Sequence, residues 1–319
     1  MRVICIDARN MCYKAGWVGK RFRSSGGEET GVVHGILLGM AAIKRRYPLA
    51  KFVMVWDGLD RKNNWRLKIF PQYKSNRSES ISQEHRDLRE SVTRQIGLVK
   101  ELLLSVGVPQ IEIPLLEADD VIGILTEKIA ARGWKPMVFS SDQDYLQLMD
   151  YGVEIITSAS GPPIDERAVK SKWRCTSENV LRLRSLLGDS SDGVPRPVSG
   201  VGPVAAARYI EAGVTPEVSR FEDMPRSTRE QAERLREQWP LIHMNYRLMR
   251  ILRGCHDPDF PKELVAQVSV ETRRVLKALA EPTKLKPSDY QAMLDTLARL
   301  DLQEAIANRR DIWNLQSSK

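Results

Sequence analysis

Residues 2–7 read RVICID, an apolar, β-branched run that ends in a carboxylate. Two later runs repeat the pattern, KFVMVWD at 51–57 and PMVFSSD at 136–142. Short runs of this kind predict buried strands. Helical patterns separate or follow them, at about 29–46, 84–106 and 118–132. The alternation predicts an α/β fold with a mostly parallel central sheet flanked by helices.

Each predicted strand delivers one acid to its carboxyl end, namely Asp7, Asp57 and Asp142. The carboxyl ends of parallel strands meet at one edge, and ligands of open α/β sheets bind in the crevice beyond that edge. We therefore expect these three carboxylates to share a site.

A further acidic cluster interrupts the apolar stretch LLEADDVIG at 115–123, which carries Glu117, Asp119 and Asp120. Acids so closely spaced repel one another, and burial would force protons onto them. They fit either a solvated helix start, where the helix dipole favours negative charge, or a bound divalent cation.

Two more acidic pairs favour the cation. SSDQDYLQL at 140–148 places Asp144 beside Asp142, and GDSSDG at 188–193 supplies Asp189 and Asp192. Any one such pair is more often a helix cap or a turn. Taken together, the clusters predict oxygen ligands for two or more Mg²⁺ or Mn²⁺ ions. The candidate ligands are Asp7, Asp57, Glu117, Asp119, Asp120, Asp142, Asp144, Asp189 and Asp192.

The chemistry of such a site is phosphoryl transfer, because paired ions about 4 Å apart can activate a water and stabilise a departing oxygen. Zinc is not expected, since His34, His85, His243 and His256 follow no ligand spacing. The sequence has no P-loop GxxxxGK[ST], which counts against a nucleoside triphosphate substrate. Residues 7–9, DAR, also lack the second aspartate of DxD phosphatases. A phosphodiester in nucleic acid is the best-supported target.

Two basic segments could hold a nucleic-acid strand. Residues 61–77, RKNNWRLKIFPQYKSNR, contain six basic and three aromatic residues and no acid. Cations bind phosphates and aromatic faces stack on bases, although a basic helix that buries its aromatic residues explains this segment equally well. KAGWVGKRFR at 14–23 adds four cations, among them Lys20 and Arg21. Because both segments follow an acid-bearing strand, we expect their cations to face phosphates.

Closely placed glycines, Gly200 and Gly202, open a predicted helix in SGVGPVAA at 199–206. Backbone N–H groups at such a turn can approach a phosphate. A lone GxG is more often an ordinary tight turn, but its position directly after GDSSDGVP favours the phosphate.

The composition agrees with an anionic partner, because the net charge is +8 and the isoelectric point is near 9.3. The four cysteines form no CxxC pair, so neither a zinc site nor a disulfide framework is indicated. Cys5 is expected to be a small buried side chain. No signal peptide precedes RVICIDA and no apolar run is long enough to span a membrane, so we expect a cytoplasmic protein without a membrane partner.

Seven motifs follow one another along the chain: IDARN (6–10), GGEETGVVHG (26–35), VWDG (55–58), YKSNR (73–77), EADDVIG (117–123), SSDQDYLQL (140–148) and GDSSDGVP…GVGP (188–203). Their order and spacing resemble the 5′-nuclease family, which includes bacteriophage flap endonucleases and the 5′-nuclease domain of bacterial DNA polymerase I. The resemblance extends over about 210 residues, and EADD combined with GDSSD is its most specific part.

The resemblance implies roles for individual residues. One metal group would use Asp7, Asp57, Glu117, Asp119 and Asp120. A second would use Asp142, Asp144, Asp189 and Asp192, some of them through water. Lys74 and Arg77 match basic residues that orient the scissile phosphate, and Tyr73 beside them joins the predicted catalytic set.

The resemblance also implies an architecture. A nuclease domain at 1–172, with a helical arch at about 66–100, would precede a DNA-binding region at 173–270 and a helical extension at 271–319. A helix–three-turn–helix at 181–212 would grip duplex DNA, with a bound K⁺ in some members. The residues expected to contact DNA are Arg66, Lys68, Lys20, Arg21, Gly200 and Gly202.

The implied activity is that of a divalent-metal-dependent 5′-3′ exonuclease or flap endonuclease in DNA replication or repair. Its partners would be DNA with 5′ flaps, overhangs or nicks and replication proteins, and it would act as a monomer. Two alternatives are a carboxylate–metal ribonuclease that acts on RNA or RNA–DNA primers and a non-catalytic DNA-binding protein of the same fold. The turn at 188–206 departs from the family pattern by one extra residue, and Val204 replaces the usual lysine. The acidic ligands are complete, so we expect catalysis to be retained.

Overall fold

Five parallel strands form the centre of the molecule in the computed structural model, which describes residues 1–19, 22–23, 27–60, 63–78, 82–282 and 288–289. The strands are β1 (Arg2–Asp7), β2 (Lys51–Trp56), β3 (Gln110–Glu112), β4 (Lys135–Phe139) and β5 (Glu154–Ile156). Their order in the sheet is β3-β2-β1-β4-β5, and every neighbouring pair is parallel. The predicted parallel sheet is confirmed. The sequence did not reveal β3 and β5, since three residues are too few to show a strand period.

Helices cover the sheet and continue beyond it. They are α1 (Ala8–Val18), α2 (Gly31–Arg46), α3 (Trp65–Ile69), α4 (Gln83–Ser105), α5 (Ala118–Ala130), α6 (Glu166–Trp173), α7 (Val180–Leu187), α8 (Pro203–Glu211), α9 (Arg226–Ala232), α10 (Trp239–Met249) and α11 (Val265–Ala280). The three helices predicted around the strands correspond to α2, α4 and α5. None of the described helices combines the length and the apolar character that a membrane span requires.

The central strand β1 is buried on both faces, which explains its unbroken apolar sequence. Ile4 and Ile6 pack into a cluster formed with α1, α2 and α4. Val3 and Cys5 face the opposite side, where α5 and α11 supply the contacts. Cys5 is fully buried, as predicted, and all four cysteines are free.

The helices after residue 173 build a second core around α7, α8 and α10. α7 and α8 are joined by the turn 188–202, so two helices flank a long turn in the segment predicted as a helix–three-turn–helix at 181–212. A 3₁₀ turn at Ser177–Asn179 leads into α7. α11 runs across the predicted boundary at 270 and packs on the sheet cluster, so its apolar face belongs to the first core. Most of the helical extension predicted at 271–319 lies outside the described residues.

The predicted arch at 66–100 has both of its ends packed into the body of the protein. Arg66 lies in α3 and is buried, and Val92 and Val99 of α4 belong to the sheet cluster. The structure describes a 3₁₀ turn at Ser75–Ser78 between them, whereas residues 79–81 lie outside the described part.

Candidate active site

The carboxyl edge of the sheet collects the strand-ending acids. Asp7 ends β1, Asp57 directly follows β2 and Asp142 lies shortly after β4. Since β2 and β4 flank β1 on opposite sides, the crevice at this edge is the switch point of the sheet, where ligands of open α/β folds bind. The expectation that the three acids come together is fulfilled.

Asp7 is the most deeply placed of these acids. Its Oδ2 accepts hydrogen bonds from Ser140 Oγ at 3.1 Å and from Tyr145 OH at 3.2 Å, while its Oδ1 caps α1 through Asn10 N. Burial, followed by repulsion from Asp57 and Asp142, raises the pKa of Asp7 to about 7. The edge therefore holds more negative charge than its own hydrogen bonds compensate.

A second group of acids stands at the start of α5. Asp57 Oδ1 accepts from Ala118 N at 3.0 Å, which ties the end of β2 to this helix. Gly58 permits the approach, because a Cβ there would lie 2.3 Å from the carbonyl oxygen of Ile113. Burial alone would raise the pKa of Glu117, but Lys74 and Arg66 together lower it to about 2. Glu117 is thus a permanent anion at the mouth of the site.

Asp120 differs from its neighbours, because its side chain is fully buried. Its Oδ2 accepts from Trp65 Nε1 at 2.9 Å and from Arg66 Nη1 at 2.7 Å, and its Oδ1 accepts from Leu252 N at 3.0 Å. Both oxygens are committed to protein donors. We therefore correct the expected ligand set: Asp120 supports the start of α5, whereas the side chains of Glu117 and Asp119 are partly exposed.

Arg66 requires the matching correction, since its side chain is only 1% exposed and cannot contact DNA. Its guanidinium pairs with Asp120 and lies 3.4 Å from Asp119 Oδ2. It also donates to the carbonyl oxygens of Leu248 at 2.8 Å and Arg250 at 3.1 Å. Sequence alone suggested a phosphate contact, because a basic segment does not reveal which of its cations turns inward.

The segment YKSNR joins the two acidic groups. Lys74 Nζ lies 2.6 Å from Glu117 Oε1 and 3.6 Å from Asp192 Oδ2. Tyr73 OH donates to Glu117 at 3.2 Å and to Asp192 at 3.4 Å, and Arg77 forms an ion pair with Asp192. Burial and then Glu117 raise the pKa of Tyr73 well above its usual range, so the phenol remains a donor. The structure thus brings the three predicted catalytic residues to the carboxylates.

The backbone at Lys74 is itself unusual, with φ of 60° in the left-handed region. Its N–H donates to the carbonyl oxygen of Asp192 at 2.8 Å. This contact fixes the direction of the side chain and locks the turn 188–193 against the nuclease body.

The second acidic group comprises Asp142, Asp144, Asp189 and Asp192, and a cation that sequence reasoning missed lies within it. Arg184 of α7 forms ion pairs with Asp144 and, at 2.6 Å, with Asp189. Burial raises the pKa of Asp144 to about 7 although Arg184 opposes the shift. An arginine between Leu183 and Leu186, which are buried, was the only signal of this contact in the sequence.

A cleft of about 580 Å³ lies beside Asp57 and Glu117, and the other candidate ligands are not among its lining residues. Its walls include Asp57, Tyr73, Lys74, Arg77 and Glu117, together with cleft residues that the sequence did not single out: Arg9, Tyr13, His85 and Arg89. Arg9 Nε lies 3.8 Å from Asp57 Oδ2. The cleft is lined by both acids and cations, which suits a polyanion held at its phosphates.

Three of the remaining predicted DNA contacts, Lys68, Gly200 and Gly202, lie outside the cleft. Lys68 is 65% exposed and lies 3.5 Å from Glu263. Gly200 is exposed with φ of 77°, and Gly202 is the N-cap of α8. Lys20 and Arg21 lie outside the described residues.

Comparisons with known proteins agree with this geometry. The chain is 28% identical over 192 residues to a 5′-3′ exonuclease of Buchnera aphidicola subsp. Baizongia pistaciae. The aligned region is 60% of this chain and 60% of that protein. It is 28% identical over 206 residues to a 5′-3′ exonuclease of Aquifex aeolicus, or 65% of this chain and 68% of that one. DNA polymerase I of Pseudomonas aeruginosa matches at 30% over 200 residues, which are 63% of this chain but 21% of the polymerase.

The fold is that of the T5 5′-exonuclease, whose structure with bound divalent metal ions (zinc) superimposes with a TM-score of 0.66 at 17% identity over 88% of this chain and all of that one. The T5 flap endonuclease in a pseudo-enzyme–product complex with DNA and metal ions gives 0.65 over the same share. The sequence profile of the family described as 5′-3′ exonuclease, N-terminal resolvase-like domain, matches residues 2–174. Because that match covers more than half of the chain, the protein belongs to this family of 5′-3′ exonuclease domains.

Proposed function

We propose that the protein is a structure-specific 5′-3′ exonuclease or flap endonuclease that hydrolyses DNA phosphodiesters in replication or repair. One observation carries the proposal: carboxylates from five separate parts of the chain converge on the switch point of a parallel sheet, directly beside Lys74 and Arg77. Relatives named 5′-3′ exonuclease and DNA polymerase I support the same activity.

The donor set fits a hard divalent cation such as Mg²⁺ or Mn²⁺, because it consists of carboxylate oxygens. Within the described ranges, no three acidic, histidine or cysteine side chains form a ready-made metal-binding group. The acids instead stand in pairs that cations bridge: Lys74 joins Glu117 to Asp192, and Arg184 joins Asp144 to Asp189. The pKa of Asp7 is raised to about 7 because burial and neighbouring carboxylates disfavour its ionised form. A bound cation would stabilise that ionised form. The proposed ligands are Asp7, Asp57, Glu117, Asp119, Asp142, Asp144, Asp189 and Asp192.

When bound, divalent ions would supply a water of lowered pKa and neutralise charge on the phosphate. The protein's own contribution is to position the phosphate. Lys74 and Arg77 face the cleft, where they would hold the phosphate oxygens and stabilise the negative charge that develops on them. Tyr73 keeps its proton and holds Glu117 in place. No side chain is required as the general base.

DNA would cross the acidic edge between the wall of the cleft and the helix–turn–helix. Lys68 and the glycine turn at Gly200 and Gly202 would contact the backbone outside the cleft, with Lys20 and Arg21 as further proposed contacts. Three glycines of the turn, Gly188, Gly193 and Gly200, have positive φ, a backbone conformation that glycine adopts without steric cost. This turn is our proposed site for a K⁺ ion. We further propose that the protein is a monomer and acts in the cytoplasm together with replication proteins.

Incubation with a labelled 5′-flap DNA, with Mg²⁺ and with a chelator, tests the activity directly. We expect metal-dependent release of the flap, leaving a 5′-phosphate and a 3′-hydroxyl. Faster cleavage of a matched RNA flap would favour the ribonuclease alternative. Flap binding without cleavage at any Mg²⁺ or Mn²⁺ concentration would favour the non-catalytic one.

A further inference from the structure

Arg184 occupies the centre of the second acidic group. Its side chain is 9% exposed, and it bridges Asp144, which follows β4, to Asp189 of the turn after α7. Asp144 and Asp189 are far apart in the sequence and are brought together by the tertiary fold. A guanidinium with donors on both sides neutralises such a pair as a small cation would.

The bridge is held from behind as well. The Arg184 guanidinium lies 5.6 Å from the centre of the Trp173 ring, and Leu183 and Leu186 beside it are buried. Asp142 and Asp192 add to the negative potential at the guanidinium from the two flanks. Arg184 is therefore an internal cation surrounded by four acids, rather than an exposed side chain that rests against them.

We infer that Arg184 serves as a built-in counter-ion at this group and competes with a divalent ion for Asp144 and Asp189. A metal ion can take both carboxylates only if the guanidinium withdraws from them. In the wild-type protein, the site formed by Asp7, Asp57, Glu117 and Asp119 therefore has the higher affinity for a divalent ion. The site around Arg184 has the lower affinity. This inference rests on the proposed metal dependence and assigns a different affinity to each of its two sites.

The test is Mn²⁺ binding to the DNA-free protein by isothermal titration calorimetry, together with thermal unfolding at each Mn²⁺ concentration. For Arg184→Met, we expect the weak site to bind Mn²⁺ at least about tenfold more tightly, because one repelling charge has gone. The metal-free variant should unfold at a lower temperature than wild type, since Asp144 and Asp189 then repel each other. Mn²⁺ should therefore raise its Tm by more than it raises that of wild type.

Arg182 provides a matched control on the same helix. It pairs with Glu217 at 2.5 Å and with Glu178 at 3.7 Å, outside the acidic group. Arg182→Met should leave both Mn²⁺ affinities unchanged. Arg184→Lys keeps the positive charge as a compact ammonium and should show an intermediate affinity, which preserves the test if the Met variant fails to fold without metal.

Equal Mn²⁺ affinities in wild type and Arg184→Met, or weaker binding in the variant, would overturn the inference. Because the measurement uses no DNA, a protein that binds Mn²⁺ as described but cleaves no flap would contradict the proposed nuclease activity and leave the role of Arg184 intact.

Discussion

The ammonium of Lys74 lies 2.6 Å from the carboxylate of Glu117, although the two residues are 43 positions apart in the chain. The contact links the turn after α3 to the N-cap of α5, so the basic segment and the EADD motif form one unit. Lys74 has a left-handed backbone conformation, which directs its ammonium toward Glu117. Such a conformation persists only where the surrounding contacts enforce it.

Replacement of Lys74 by Ala should slow flap cleavage by about 10²-fold, because one donor to the developing charge is lost. Flap binding, measured by fluorescence anisotropy, should change far less. Lys135→Ala is the control, since this residue pairs with Glu154 at the opposite, amino-terminal edge of the sheet. Equal losses of cleavage in the two variants would contradict a local role for Lys74.

The double substitution Asp142→Asn and Asp144→Asn should reduce cleavage by about 10³-fold or more while most flap affinity remains. Two carboxylates of the second group lose their charge, whereas the cations that contact phosphate are kept. Single-turnover cleavage and anisotropy on the same flap separate the two effects. Asp150→Asn, an exposed acid at the end of the same segment, should behave as wild type. Unchanged turnover in the double variant would refute the site assignment.

Arg66→Ala should destabilise the protein by about 3–5 kcal/mol, since it leaves the buried Asp120 carboxylate without its partner. Urea denaturation followed by circular dichroism measures this change. Arg226→Ala removes an exposed pair with Glu230 and should cost less than about 1 kcal/mol. A small effect at Arg66 would mean that Asp120 is free to reach the cleft, which would restore it as a candidate ligand.

The stability of the metal-free protein should fall as the pH rises from about 4 to about 7. Asp7 and Asp144 have pKa values raised from 3.8 to about 7, so the native state holds protons that the unfolded chain has already released. Glu117, with a pKa lowered from 4.5 to about 2, opposes this slope at the acidic end of the window, where the unfolded chain is still releasing its proton, and adds none once both states are ionised.

Urea titrations at several pH values check this dependence, and Asp7→Asn should flatten it. Mn²⁺ affinity should change in the opposite direction, increasing over the same pH range, because a metal ion requires ionised carboxylates. A steeper slope in Asp7→Asn than in wild type would show that another group controls the stability.

Sequence periodicity and strand-ending acids were sufficient to predict the parallel sheet, its three longest strands and the edge at which the site lies. The reason is physical: a strand buried on both faces must be apolar throughout, and a carboxylate that follows it must lie at the end of the sheet. The chemistry of Asp7, Asp57 and Asp142 was therefore readable from local patterns.

Only the tertiary structure decided which charged residues face the cleft. Asp119 and Asp120 are adjacent and alike in sequence, yet one borders the site while the other is enclosed by Trp65 and Arg66. Arg184 was likewise invisible, because its partner Asp144 follows β4 and reaches Arg184 only through the tertiary fold. Periodicity in the sequence shows which face of a helix or strand is apolar, but it does not show which charged side chain is buried. The cost of burying a charge depends on the partners that the whole fold brings to it.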